Sequence, residues 1–363
     1  MKAIPDHNSL ISSNILVTGG AGFIGCALSN QLAEKVNQYL VLDCLHPQVH
    51  KEQSRPMALH GKAELVIGDV TESAVWDLLL ERFKPDIVIH LAAETGTGQS
   101  LTEATRHGHT NVVGTTCMTD ALVRHDINVK HMLLTSSRAV YGEGAWISTS
   151  GEIQYPGQRS HAQLERKEWD FPALNPLPSS SKSTFPDPTS VYGATKLAQE
   201  HILKAWALAF NTPFSILRLQ NVYGPGQSLT NSYTGIVALF SRLAKAGTAI
   251  PLYEDGHCTR DFVSIDDVVA ALIAALNCKP IVCETFDIGS GAATSIQGMA
   301  NIIADHYSAP RPIVTGQFRD GDVRHAACAI SRTLDQLQWK PTTTLQSGLA
   351  NLQRWIDLEL QGF

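Results

Sequence analysis

The sequence is poor in charge and has no blocks of one sign. Only 17% of its 363 residues are Asp, Glu, Lys or Arg, and 28 basic against 34 acidic residues leave a formal net charge of -6. Without a basic run, a surface built to grip nucleic acid or an anionic membrane is excluded, and any anionic ligand must be held by local groups. Cysteine is scattered: Cys26, Cys44, Cys117, Cys258, Cys278, Cys283 and Cys328 form an odd set with no C-x-x-C spacing. That excludes a disulfide framework and a thiolate zinc site, and it suits a reducing compartment. Long apolar runs are missing too. The longest uncharged stretch, residues 219–241, is broken by Asn, Gln, Gly and Pro, so no segment is expected to span a bilayer. Residues 1–13 carry no apolar core of a secretory leader. A cytoplasmic protein without a metal site is expected.

What is present is 44% hydrophobic sequence, enough for a large core. At about 150 residues per domain the length suggests about two domains, or one large α/β domain with an appended lobe. Short β-branched runs alternate with helical patterns from residue 14 onward, the signature of βαβ units and a doubly wound parallel sheet. Strands are predicted at 14–18, 39–43, 64–68, 86–91 and 131–136. A helix over 23–34 puts Ile24, Leu28 and Leu32 on one face, and one over 74–83 presents Val75, Leu78, Leu79 and Phe83 to the sheet. Residues 141–188, rich in Pro, Ser and Gly, read as a long insertion with little regular structure. A helix over 191–210 and a strand over 213–219 follow. Beyond residue 220 shorter mixed elements are expected: a helix near 233–246, a strand near 260–263 and a helix over 266–277. The expected domains are therefore 1–219, a Rossmann unit carrying the insertion, and 220–363, a smaller lobe interleaved with it.

The first strand runs into Gly19-Gly20-Ala21-Gly22-Phe23-Ile24-Gly25 and then an amphipathic helix. Gly19 permits the tight turn, Gly22 lets a pyrophosphate approach the backbone, and Gly25 allows close helix–strand packing, with the helix N-terminus supplying the positive end. Asp43, at the end of the next strand, stands where a ribose 2′-hydroxyl is held; its charge repels a 2′-phosphate, favouring NAD over NADP. Asp69, in Gly68-Asp69-Val70, is placed to meet the adenine amino group.

Tyr192 and Lys196 lie four residues apart at the start of a helix, hence on one face. Opposite charges about 4 Å apart at an effective dielectric of about 20 attract by about 4 kcal/mol, enough to bring a phenol from about 10 toward neutrality. Such a tyrosine is a general base. Ser137, at the carboxyl end of the fifth strand, is placed to hold the oxygen whose proton Tyr192 removes.

As a set, these residues resemble the extended short-chain dehydrogenases, in the NAD-dependent sugar epimerase/dehydratase branch. The resemblance covers nearly the whole chain. It includes His90-Leu91-Ala92-Ala93, Asn111 with Gly114-Thr115, Arg218-Leu-Gln-Asn221-Val-Tyr-Gly-Pro225, Arg260-Asp-Phe-Val-Ser-Ile-Asp-Asp267, Phe286-Asp-Ile-Gly-Ser-Gly291 and Gly321-Asp-Val-Arg324-His325. It implies a Rossmann fold and an NAD site made by Gly19, Gly22, Phe23, Ile24, Gly25, Asp43, Asp69, Val70, Leu91, Ala92, Ala93, Asn111, Tyr192 and Lys196. It also implies a nucleotide-diphosphate sugar as substrate, with Asn221, Arg260 and Arg324 on the diphosphate and Thr97, Gly98, Gln99, Ser137 and Arg138 around the sugar. A homodimer through helices over 104–123 and 192–209 is implied as well. Three positions depart from the pattern: His107 for tyrosine, Ala329 for aspartate and Gln338 for glycine.

Dehydratases and decarboxylases of this branch carry an acid just after the Ser137 position; here Arg138 and Ala139 stand there. Oxidation at C4 followed by return of the hydride, an epimerisation, is then the simplest cycle. The stretches from Ala93 to Ser100 and from Ser136 to Gly144 resemble the dTDP-L-rhamnose 4-epimerases, with UDP-hexose or UDP-uronic acid 4-epimerases as the rival. A one-way ketosugar reductase would consume reduced cofactor stoichiometrically. A non-catalytic NAD-binding regulatory module would have no use for intact Tyr192 and Lys196.

Overall fold

A computed structural model of the chain describes residues 8–229, 235–278 and 283–361. The near-continuous apolar runs, with no polar alternation, need burial on both faces and so make a parallel sheet covered by helices. They form β1 (Asn14–Thr18), β2 (Gln38–Asp43), β3 (Glu64–Ile67), β4 (Ile87–His90) and β5 (His131–Ser137). Two later strands, Phe214–Leu219 and Glu284–Ile288, complete a seven-stranded sheet. From edge to edge the order is Glu284–Ile288, Phe214–Leu219, β5, β4, β1, β2, β3, and every neighbouring pair is parallel. Strand order reverses beside β1, so a crevice opens past its carboxyl end, between β2 and β4.

The helices Phe23–Leu32 and Ile265–Asn277 cover one face of the sheet, burying Leu28, Leu32, Val268 and Leu272. The helices Ser73–Arg82, Gly114–Arg124 and Val191–Ala209 cover the other, with Trp76, Met118, Leu122 and Leu203. A separate core of Phe240, Leu252, Met299, Ile303 and Leu352 fills the second lobe. The chain past residue 219 thus builds that lobe but also returns an edge strand and a covering helix to the first.

Several elements differ from the pattern read in the sequence. Leu78 is 68% exposed on the outer face of its helix; the face that packs is Trp76, Leu79 and Leu80, all essentially buried. The strand expected near 260–263 is split into Thr259–Arg260 and Phe262–Ser264, which belong to different small sheets, because Asp261 turns between them to bind Ser290 and Gly291. The helix expected near 233–246 spans Ile236–Lys245, and Tyr233 lies outside the described residues.

The insertion is more ordered than its composition suggests. Trp146–Ser148 pairs antiparallel with both Ile153–Gln154 and Leu174–Pro176, and a short helix, His161–Glu165, lies between. No periodicity announces these strands, since each is only two or three residues long.

Candidate active site

A cleft of about 1660 Å³ lies along the carboxyl ends of the strands and extends toward the second lobe. A single small-molecule site occupies roughly 300–1,000 Å³, so the cleft has room for two ligands. Gly19, Gly22, Phe23, Ile24, Gly25, Asp43, Asp69, Val70, Leu91, Ala92 and Ala93 line one part of it. Ser137, Arg138, Tyr192, Lys196, Asn221 and Thr97 line another.

The glycine turn is built for close approach. Gly19 takes φ +66°, a backbone conformation that L side chains rarely adopt, and a Cβ at Gly25 would run into the backbone of Gly20. The helix that follows has no side-chain cap, leaving the N–H groups of its first turn for an anion. The Asp43 carboxylate accepts from Ala21 N–H at 3.0 Å and from Leu45 N–H at 2.9 Å. Cradle, helix end and carboxylate fit a dinucleotide with a free ribose 2′-hydroxyl. Gly25→Ala is therefore expected to weaken NAD binding at least about tenfold while costing about 1–3 kcal/mol from overpacking. Calorimetric NAD titration beside a denaturant melt checks this; unaltered binding would contradict it.

Asn111 does not line the cleft. It is fully buried in a π-helical segment, His109–Val113, where its Oδ1 accepts from Glu94 N–H and its Nδ2 donates to Glu94 O and Thr195 Oγ1. It ties the loop after β4 to the tyrosine helix rather than touching a ligand. Gly98 and Gln99 are likewise set back. Gln99 is buried and bonded to Gln48 and Glu103, so its amide is already committed to protein partners.

The reacting groups meet at the end of β5. Ser190 caps the helix Val191–Ala209 by accepting from Gly193 N–H at 3.1 Å, and the Tyr192 N–H donates to Ser100 Oγ at 3.0 Å. This fixes the first turn so that Tyr192 faces Ser137, whose hydroxyl bonds the phenol. Burial pushes the phenol above its ordinary value; the Ser137 hydrogen bond and the Arg138 charge draw it back down. The electrostatics differ from the expected tyrosine–lysine couple. Lys196 Nζ donates to Gln199 Oε1 instead, and burial lowers its ammonium to about 7. His107 packs edge-on to the Tyr192 ring, with centroids 6.5 Å apart, and is held by Glu103 O and Thr95 O.

The two distal arginines lie outside the cleft lining. Arg324 is 1% exposed, and its guanidinium is taken up by Asp170, Asp255 and Glu254, with N···O distances of 2.7–3.1 Å. Arg260 donates to the carbonyls of Thr259 and Arg324. Motif position implies a diphosphate contact for Arg324, yet these carboxylates leave its guanidinium no face toward a ligand.

Sequence reasoning missed the groups that do this. Arg159, in the insertion, donates Nε to Glu143 at 3.0 Å and both Nη atoms to Glu254 at 2.9 Å. Glu143 also accepts from Arg324 N–H. Glu254 stands at φ +52°, a strain held in place by the two arginines. Isolated charges in a polar, aperiodic segment carry no signal of such pairing.

With this geometry in hand, the match to a family model is informative. The model for the NAD dependent epimerase/dehydratase family matches residues 15–163 and 170–289. The chain belongs to that family. It is 66% identical over 346 residues to a dTDP-L-rhamnose 4-epimerase of Burkholderia thailandensis, covering 95% of each chain. It is 30% identical to the UDP-glucose 4-epimerase of Mycolicibacterium smegmatis, covering 92% of this chain and 96% of that one. Among solved structures it resembles the UDP-glucose 4-epimerase of Thermotoga maritima with UDP-glucose, with a TM-score of 0.80, 26% identity, and 96% and 99% of the two chains covered. It also resembles MoeE5 in complex with UDP-glucuronic acid and NAD, with a TM-score of 0.76, 26% identity, and 95% and 99% coverage. The chain is an NAD-dependent nucleotide-sugar 4-epimerase of the extended short-chain dehydrogenase type. Among the described residues no helix is long and apolar enough to cross a membrane.

Proposed function

We propose that this epimerase interconverts dTDP-L-rhamnose and its C4 epimer. The observation that carries the 4-epimerase chemistry is the pairing of Ser137 and Tyr192 at the cleft floor, followed by Arg138 and Ala139 where an eliminating enzyme needs an acid. The 66% identity to the Burkholderia enzyme supports the nucleotide and sugar.

Ser137 donates to the substrate C4 oxygen and orients its proton toward Tyr192. The phenolate takes that proton as the C4–H bond breaks, leaving a 4-keto sugar. When bound, NAD supplies the chemistry of accepting the C4 hydride and giving it back. Tyr192 then returns its proton to the C4 oxygen after the sugar has presented its other face, so atoms and electrons balance with no net oxidant. Asn221 and Arg138, joined at 2.8 Å, bound the sugar side of the cleft.

Cytosolic location and a homodimer complete the reading. The helices meant to pair carry exposed apolar side chains, Val113, Val123 and Leu208. The decisive experiment presents purified protein with dTDP-, UDP- and GDP-sugars and follows products by NMR. dTDP-L-rhamnose should give its C4 epimer with no added cofactor consumed. Release of a 4-keto product without epimer would refute the reading, and turnover of UDP-hexoses alone would reassign the substrate.

A further inference from the structure

Two loops flank the glycine turn. Residues 44–63 leave the carboxyl end of β2, residues 91–103 leave that of β4, and β1 lies between these two strands in the sheet. Across this gap the chain makes a reciprocal amide pair: Gln48 Nε2 donates to Gln99 Oε1 at 2.9 Å, and Gln99 Nε2 donates to Gln48 Oε1 at 3.1 Å. Arg106 Nη2 donates to the same Gln48 oxygen and to Glu94 Oε2, each at 2.8 Å, while its Nη1 meets Glu103. Gln48, Glu94 and Arg106 line the cleft along with the glycine turn and Asp43.

The two sides of this bridge differ in stiffness. Gln99 is 4% exposed, and its Nε2 also donates to Glu103 Oε1. The next residue, Ser100, accepts the Tyr192 N–H and donates to Thr97 O, and Glu94 N–H is held by Asn111. That wall is fastened to the tyrosine helix. Gln48 instead sits in one turn, where the N–H groups of Val49 and His50 donate to His46 O. No residue between Leu45 and Leu59 is buried, so this loop is the side able to swing.

We propose that Gln48, Gln99 and Arg106 form a strap across the cofactor part of the cleft, one that gates the passage of NAD in both directions. Its bonds run between protein groups, so opening it is a step that entry and exit share. Epimerisation tolerates a slow gate, because the hydride taken from C4 returns within the same turnover and NAD need not leave. A dehydrogenase, which exchanges its cofactor at every turnover, would be limited by such a strap.

The test reads rates of cofactor passage. Gln99→Met keeps the side-chain volume and removes the amide, and Gln48→Ala breaks the same pair from the exposed loop. Each holoenzyme is loaded with nicotinamide-labelled NAD and chased with excess unlabelled NAD, with Kd measured by calorimetry. Both variants should release label about tenfold faster, since each net hydrogen bond lost is worth severalfold. The double variant should be little faster than Gln48→Ala alone, because the two side chains share one pair. Kd should stay within about threefold of wild type, because entry quickens with exit. Release at the wild-type rate in the folded variants overturns the proposal, and so does a Kd that rises in step with release, the mark of a direct contact with the dinucleotide. If Gln99→Met does not fold, Gln48→Ala decides alone. The strap rests on the glycine turn and Asp43 holding NAD, which Gly25→Ala tests by affinity while the strap is read by rate, so the two readings fail separately.

Discussion

Tyr192→Phe is expected to lower kcat for epimerisation by about 10³-fold or more while the protein still folds and binds NAD. General bases contribute about 10²–10⁴-fold, and a thousandfold corresponds to about 4 kcal/mol of lost transition-state stabilisation. The hydroxyl is a small part of the fold: it bonds Ser137, while the ring keeps its edge contact with His107 and the backbone N–H keeps Ser100. Removing one oxygen therefore touches chemistry rather than packing. Because the phenolate is the active form, wild-type activity should fall as pH drops below the phenol midpoint, and the residual activity of the variant should lack that limb. Ser137→Ala should cost about 10²-fold, and the double variant little more than Tyr192→Phe alone, since the two groups act as a unit. Steady-state kinetics by NMR with calorimetric NAD titration checks this. A variant within tenfold of wild type would remove Tyr192 from the mechanism.

Whatever depended on local spacing was legible in the sequence. The glycine turn and the Tyr192 helix sit where strand–turn–helix geometry requires, because each is set by neighbours within a few residues, and Asp43 follows from the regular parallel pairing of β2 beside β1. What depended on distant side chains was not. Asn111 and Arg324 occupy the expected motif positions, yet one is spent on Glu94 and Thr195 and the other on Asp170, Asp255 and Glu254. Lys196 is the sharpest case. Its place four residues after Tyr192 puts it on the right face, but a glutamine three residues further on captures its ammonium. Gln338 shows the reverse. It stands where the family pattern implies glycine, and its φ of +51° at a helix end suits that glycine while leaving the departure as local strain.

The insertion gains its structure from such distant pairing, and Arg159→Met should show how much. Arg159 is 2% exposed and is held by Glu143, Glu254 and the carbonyls of Trp169 and Asp322. The pairs join the insertion to the lobe that carries Glu254 and Asp322. Removing one partner of a buried ion pair costs about 3–5 kcal/mol, because the other charges are left uncompensated. Arg324 shares Glu254 but is already drawn toward Asp170 and Asp255, so it cannot replace the lost charge. Glu143 is already raised by burial in the intact protein; without Arg159 it should rise further. A carboxyl whose folded value lies above its unfolded one binds protons in the folded state that the unfolded state releases, so its stability contribution is lost as pH rises. The deficit of Arg159→Met should accordingly be full at neutral pH and shrink as pH falls through the raised Glu143 range. Glu143→Gln added to Arg159→Met should recover part of it at neutral pH. Urea melts across that range decide the matter. A deficit below about 1 kcal/mol that does not change with pH would show that the cluster is already wet and that the insertion is held by its small sheet alone.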